Sequence, residues 1–202
     1  MSEVPFQRRL ERQLIRQQAR LEAGIGDRWI PSLVFLVLAG VLIRAGLDRL
    51  ESLDTGVDLA AYSQSLWLLS EGKMPQASLF GTDVHLLERN WAFIMYPLAL
   101  GALVVPPAVL LIVVQGLALA GAVLPLWWLA RTVANLRVGA AAALIGAYAL
   151  HPATHQLGTE DFHPVALAVP ALIAMAYFGA TKKWVWYWLA IAVALACRAD
   201  LG

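Results

Sequence analysis

The chain has 202 residues, of which 60% are hydrophobic and only 14% charged, and its mean hydropathy is +0.66. That balance lies outside the range of soluble domains and predicts an all-α, polytopic transmembrane helix bundle with membrane lipid as its surroundings. A net charge of +1 with scattered basic residues excludes a nucleic-acid partner, and a lone Cys197 excludes an internal disulfide.

Residues 1–28 carry Arg8, Arg9, Arg12, Arg16, Arg20 and Arg28, interleaved with Leu10, Leu14, Ile15 and Leu21. The spacing fits a basic amphipathic helix lying on a membrane surface, and equally a solvated tail that sets orientation. Either way the cationic flank predicts a cytoplasmic N-terminus. The mostly polar residues ahead of the first apolar run argue against a secretory signal peptide.

A first span is predicted over about residues 30–46, with Pro31 tolerated in its first turn. Residues 47–107 are expected to form an outer loop with interfacial or re-entrant helices. Within it, Asp54-Thr-Gly-Val-Asp58 leads into Leu59, Tyr62, Leu66 and Leu69 at helical spacing, with Asp58 near the N-cap. Asp58 reads as a simple helix cap or as a functional carboxylate. Asp83, His85, Glu88 and Arg89 follow as a polar cluster. An ion-paired loop explains that cluster as well as a metal-binding or hydroxyl-orienting pair does.

Pro106-Pro107 divides the apolar stretch from Trp91 to Arg131. The half after the prolines is long enough to cross a bilayer and the half before it is not. If Trp91 to Val105 is re-entrant, the basic loops at Arg131–Arg137 and Lys182-Lys183 fall on the side of the N-terminus, as the positive-inside rule requires. The spans are then about 30–46, 108–130, 137–150, 165–180 and 184–198, within a transmembrane domain of residues 29–202. All four histidines lie on the outer face in that arrangement.

Three of those histidines sit in one stretch, His151-Pro-Ala-Thr-His155 to Asp161-Phe-His163-Pro164. Titratable residues beside membrane-length segments are costly unless solvated, paired or bound to a ligand. Pro152 suits a first helical turn, which would place His151 and His155 on one face. Asp161 and His163 would face one ligand in an extended segment. Clustered carboxylates and histidines suit a divalent cation, Mg or Mn, or acid–base chemistry. Interfacial histidines at helix ends are the plainer reading.

Asp58-Leu-Ala-Ala-Tyr-Ser-Gln-Ser-Leu-Trp67, Asp83-Val-His85, Glu160-Asp-Phe-His-Pro164 and Cys197-Arg-Ala-Asp-Leu-Gly202 resemble the bacterial membrane family called domain of unknown function 2079. That family is similar to GT-C glycosyltransferases, which take sugars from polyprenyl-phosphate donors at the outer face of the inner (plasma) membrane. The resemblance implies a GT-C-like N-terminal half, because family members are commonly about twice this length. Arg198 stands where relatives often have Lys. It further implies Asp58 as general base, Asp161 and His163 with Asp83 or His85 as metal or phosphate ligands, and Arg89 or Arg198 as charge partners of the donor phosphate; His151 and His155, paired by helical spacing alone, are further candidate metal or phosphate ligands. A different class is also consistent with the sequence. Trp127, Trp128, Trp184, Trp186 and Trp188 read as lipid-interface anchors, and the small residues Gly139 to Ala143 suit close helix packing. Together they fit a non-catalytic subunit docking onto a larger membrane complex.

Overall fold

A computed structural model describes residues 24, 26–80 and 92–197, and every regular element among them is helical. The α-helices are α1 (Gly26–Glu51), α2 (Val57–Ser70), α3 (Met95–Ala102), α4 (Pro107–Gly121), α5 (Val123–Trp128), α6 (Val138–Leu150), α7 (Pro152–Thr159), α8 (Val165–Ala180) and α9 (Trp184–Cys197). A short 3₁₀ turn lies at Ser78–Phe80 and a π-helical turn at Leu129–Val133.

Among the described residues, two helical stretches are long and apolar enough to cross a membrane. One is Gly26–Glu51, and the other is Pro107–Val133, formed by α4, α5 and the π turn. At 1.5 Å per residue, α1 extends about 39 Å, more than a bilayer's roughly 30 Å hydrocarbon core. Helices α6, α8 and α9 are apolar but shorter. Pro106 and Pro107 begin α4, with Pro107 at a helix-starting position where its missing N–H matters least. The stretch before them contains only the eight residues of α3, about 12 Å of helix.

Close packing of α1 against α4 rests on two glycines. A Cβ on Gly46 would lie 2.6 Å from Ile112 Cγ2, and one on Gly116 would lie 2.7 Å from Ile43 Cγ1. Each helix thus presses an isoleucine onto the other's bare backbone, which a side chain would prevent. Leu42, Leu111, Leu119, Trp127 and Ile145 form the buried core around this seam. Trp127 is therefore a packing residue rather than the interface anchor its sequence position indicates. Trp128, Trp184, Trp186 and Trp188 are exposed.

The chain breaks at His151, whose extended backbone separates α6 from α7. Contacts along α1 show that α7 continues toward the same end as α6. Gly146, Ala149 and Leu150 lie beside Leu33 to Val41, Gly158 against Leu42, and Thr159 and Glu160 at Arg49. The broken ends are closed by side chains. Thr154 Oγ1 donates to Tyr148 O at 3.0 Å, His155 Nε2 lies 2.7 Å from Ala149 O, and His151 Nδ1 accepts from Ala153 N–H at 3.2 Å. Backbone groups freed by a helix break need such partners in an apolar setting.

The two ends of the helices hold different polar groups. At one end Arg131 makes a two-pronged ion pair with Asp27, Nε to Oδ1 at 2.6 Å and Nη2 to Oδ2 at 2.9 Å, and its Nη1 donates to Leu136 O at 2.6 Å. The π turn places this guanidinium against the start of α1. Lys182 and Lys183 share that end, because Trp128 packs on Tyr177 near the end of α8. The opposite end gathers Asp54, Asp58, Glu160 and Asp161. It also receives the end of α9, whose Ala196 carbonyl accepts from Ile94 N at 2.8 Å. Replacing Asp27 by Ala should destabilise the fold by about 1 kcal/mol, since a two-pronged pair is strong but this one is partly solvated. Denaturation of the detergent-solubilised protein measures it, and a double-mutant cycle with Arg131→Ala should show the two losses to be non-additive.

Candidate functional site: the capped α2 terminus

Val57 to Ser70 form α2 as the sequence pattern predicts, burying Leu59, Tyr62 and Leu66. Its cap comes from elsewhere. Gly56 occupies the N-cap position and has no side chain to offer, and Asp58 lies inside the first turn. Asp161, more than a hundred residues later, fills the role: Oδ2 accepts from Asp58 N at 2.9 Å and Oδ1 from Leu59 N at 2.6 Å. Oδ1 also accepts from Phe162 N at 2.9 Å. A carboxylate there meets unpaired N–H groups and the positive end of the helix dipole together.

The loop carrying Asp161 is held by Gln115, only 4% exposed in the middle of α4. Its Nε2 donates to Leu157 O at 2.9 Å and Asp161 O at 3.0 Å, and its Oε1 accepts from His163 N at 2.9 Å. Arg49, at the end of α1, closes the other side. Its Nη1 donates to Thr159 O and, at 2.9 Å, to Glu160 O, while Nε donates to Asp54 O at 3.0 Å. Phe162 is buried edge-on against Tyr62 with ring centroids 5.2 Å apart. Between these groups lies a void of about 20 Å³, lined in part by Arg49, Thr55, Gln115, Thr159 and Asp161. It is large and polar enough for one water molecule.

This framework brings Asp58 and His163 together. His163 Nδ1 lies 3.9 Å from Asp58 Oδ2, and both side chains are partly exposed, 38% and 29%. The separation exceeds a hydrogen bond but is short enough for an ion pair with a protonated ring. Asp161 stands beside them with its oxygens committed to three backbone N–H groups. His151 and His155 sit elsewhere: α7, about 12 Å long, separates His151 from the segment holding Asp161. Among the described residues no three His, Cys, Asp or Glu side chains group as metal ligands. Asp83, His85, Arg89 and Arg198, the remaining site residues expected from sequence, lie outside the described residues.

Sequence reasoning missed Gln115, Arg49 and Gly56. A signal existed for Gln115, the sole polar side chain between Pro107 and Arg131, since an amide inside an apolar span needs partners. None existed for Gly56, whose importance lies only in its proximity to Asp161.

The framework residues lie within the span of one family profile. The profile of the family described as "Predicted membrane protein (DUF2079)" matches residues 49–202. The chain belongs to the DUF2079 family. Arg49, Asp58, Gln115, Asp161 and His163 all fall inside the DUF2079 region, whereas most of α1 precedes it. No curated protein and no solved structure matches the chain.

Proposed function

We propose that this DUF2079 protein is a GT-C-like glycosyltransferase, or a portion of one, in which Asp58 is the general base and His163 its partner. The observation that supports this reading is the carboxylate–imidazole approach of 3.9 Å at the partly exposed start of α2. Asp161 has a different part, holding the backbone that carries Asp58. The excess of basic residues at the Asp27–Arg131 end, Arg28, Arg131, Arg137, Lys182 and Lys183 against Arg44 and Arg49 at the other end of α1, favours a multi-pass arrangement in the bacterial inner membrane, with that end and the N-terminus cytoplasmic. The Asp58 end then faces outward.

In the proposed reaction an acceptor hydroxyl approaches Asp58 and gives its proton to the carboxylate. The acceptor oxygen attacks the anomeric carbon of a polyprenyl-phosphate sugar. The bond from that carbon to the phosphate oxygen breaks, and the polyprenyl phosphate leaves with the electron pair, inverting the centre. His163, 3.9 Å from Asp58 Oδ2, flanks the carboxylate and positions it toward the acceptor hydroxyl, and Arg89 and Arg198 balance the phosphate charge. A divalent cation has no three-ligand set among the described residues, and no step is assigned to it.

Asp58→Asn should lower sugar transfer in membrane vesicles supplied with radiolabelled polyprenyl-phosphate sugar by about 10²- to 10⁴-fold, the usual contribution of a general base. His163→Gln should lower it less, because proton acceptance survives. Unchanged transfer in Asp58→Asn would sink the assignment.

A second reading has its own support. Asp161, Gln115, Arg49, His151 and His155 all hold backbone groups, as expected of a structural subunit in a larger membrane complex. Under that reading Asp58→Asn leaves function intact while exposed apolar substitutions on α9, such as Trp188→Ala, release the protein from its partners.

A further inference from the structure

A groove of about 330 Å³ runs between α1 and α6, away from the Asp58 site. Leu33, Val37 and Val41 form one wall and Leu150 the other, with Gly146 between them and His155 as the sole polar residue among the described residues of the lining. The walls are open: Leu33 is 62% exposed and Leu150 79%. Such volume lies within the range of small-molecule sites. On a helix apolar and long enough to span, the groove sits at hydrocarbon depth.

Two further observations indicate what fills it. The face of α1 that lines the groove continues, at steps of three and four residues, to Arg44 and Asp48. These exposed residues pair through Arg44 Nη2 and Asp48 Oδ1 at 2.7 Å, presenting a positive and a negative group side by side. From Leu33 to Arg44 is eleven helical steps, about 16 Å, close to one leaflet of a roughly 30 Å hydrocarbon core. The second observation is Gly146. A Cβ there meets nothing within 4 Å, so no close packing demands glycine in a helix that glycine weakens. What a side chain would take up is the groove.

From this geometry we infer that the α1–α6 groove is a binding site for a phospholipid with a primary-amine zwitterionic headgroup. One hydrocarbon chain runs from the Arg44 end along Val41, Val37 and Leu33, past Gly146. The phosphate meets the Arg44 guanidinium and the ammonium donates to the Asp48 carboxylate. An anionic lipid would meet Asp48 unfavourably, and a quaternary ammonium has no proton to donate. The site is independent of the glycosyltransferase reading and stands or falls without it.

The test is native mass spectrometry of the full chain released from detergent with phosphatidylethanolamine, phosphatidylcholine or phosphatidylglycerol added singly. One phosphatidylethanolamine should be retained in preference to the other two. Gly146→Leu should lower retention about fivefold or more by filling the groove, with helix content by circular dichroism unchanged. The surface variant Arg44→Ala/Asp48→Ala, which leaves the groove intact, should erase the headgroup preference while some lipid stays bound. Retention unaffected by Gly146→Leu overturns the groove as the site. Equal retention of the three lipids, or a preference that survives Arg44→Ala/Asp48→Ala, overturns the headgroup assignment.

Discussion

Replacing Gln115 by Leu is expected to destabilise the protein by about 3–5 kcal/mol. Three backbone groups lose their partner together: the carbonyls of Leu157 and Asp161 and the N–H of His163. Each buried polar group left unpaired costs roughly 1–3 kcal/mol. The neighbouring void has room for about one water, which can satisfy only part of the deficit. Leucine fills a similar volume, so the loss reports hydrogen bonding rather than a cavity. Since folded proteins are stable by only about 5–15 kcal/mol, such a change lowers the midpoint of chemical or thermal unfolding in detergent markedly. Gln115→Glu keeps the acceptor for the His163 N–H and should fall between the two. A Gln115→Leu variant as stable as the parent would show that the loop from Leu157 to His163 is held by something else.

The same residue shows where sequence reading stops. The helices themselves were legible, because apolar runs bounded by Pro106-Pro107, Pro164 and Lys182-Lys183 state both their lengths and their ends. So was helix α2, from the spacing of Leu59, Tyr62, Leu66 and Leu69. The grouping of Asp58 with His163 was also legible, though only through topology and resemblance, since 105 positions separate them. What sequence could not convey is which polar groups are spent on backbone. Asp161 and Asp58 look alike as carboxylates near helix ends. Only the fold shows that Asp161 caps α2 while Asp58 rides in its first turn. His151 and His155 likewise look like ligands at helical spacing, but the break before Pro152 leaves N–H and C=O groups that they satisfy. Periodicity reports which face is apolar. It carries no information about tertiary hydrogen bonds.

Gly56→Ala is the second change with a large expected effect, and its sign depends on one carboxylate. An added Cβ would fall 2.1 Å from Asp161 Oδ2 and 2.7 Å from its Cγ, far inside van der Waals contact. Asp161 cannot simply move away, because three N–H groups hold it. The backbone at Gly56, with φ −78° and ψ 175°, is one that alanine adopts freely, so the clash rather than strain carries the cost. Moving the carboxylate breaks charge-assisted bonds to Asp58 N and Leu59 N, each worth roughly 1.5–3 kcal/mol; because both are only partly buried water recovers some of this, and the expected loss is about 2–4 kcal/mol. In an Asp161→Ala background the obstacle is gone, and Gly56→Ala should then be neutral to within about 0.5 kcal/mol. The double-mutant cycle therefore has a strong coupling as its expected result. If Gly56→Ala costs the same in both backgrounds, Asp161 does not cap α2. The carboxylate would then be available as a ligand. If the coupling is found and sugar transfer falls with it, the position of Asp58 depends on that cap. Asp161 then supports the proposed chemistry by orienting the backbone that carries the base.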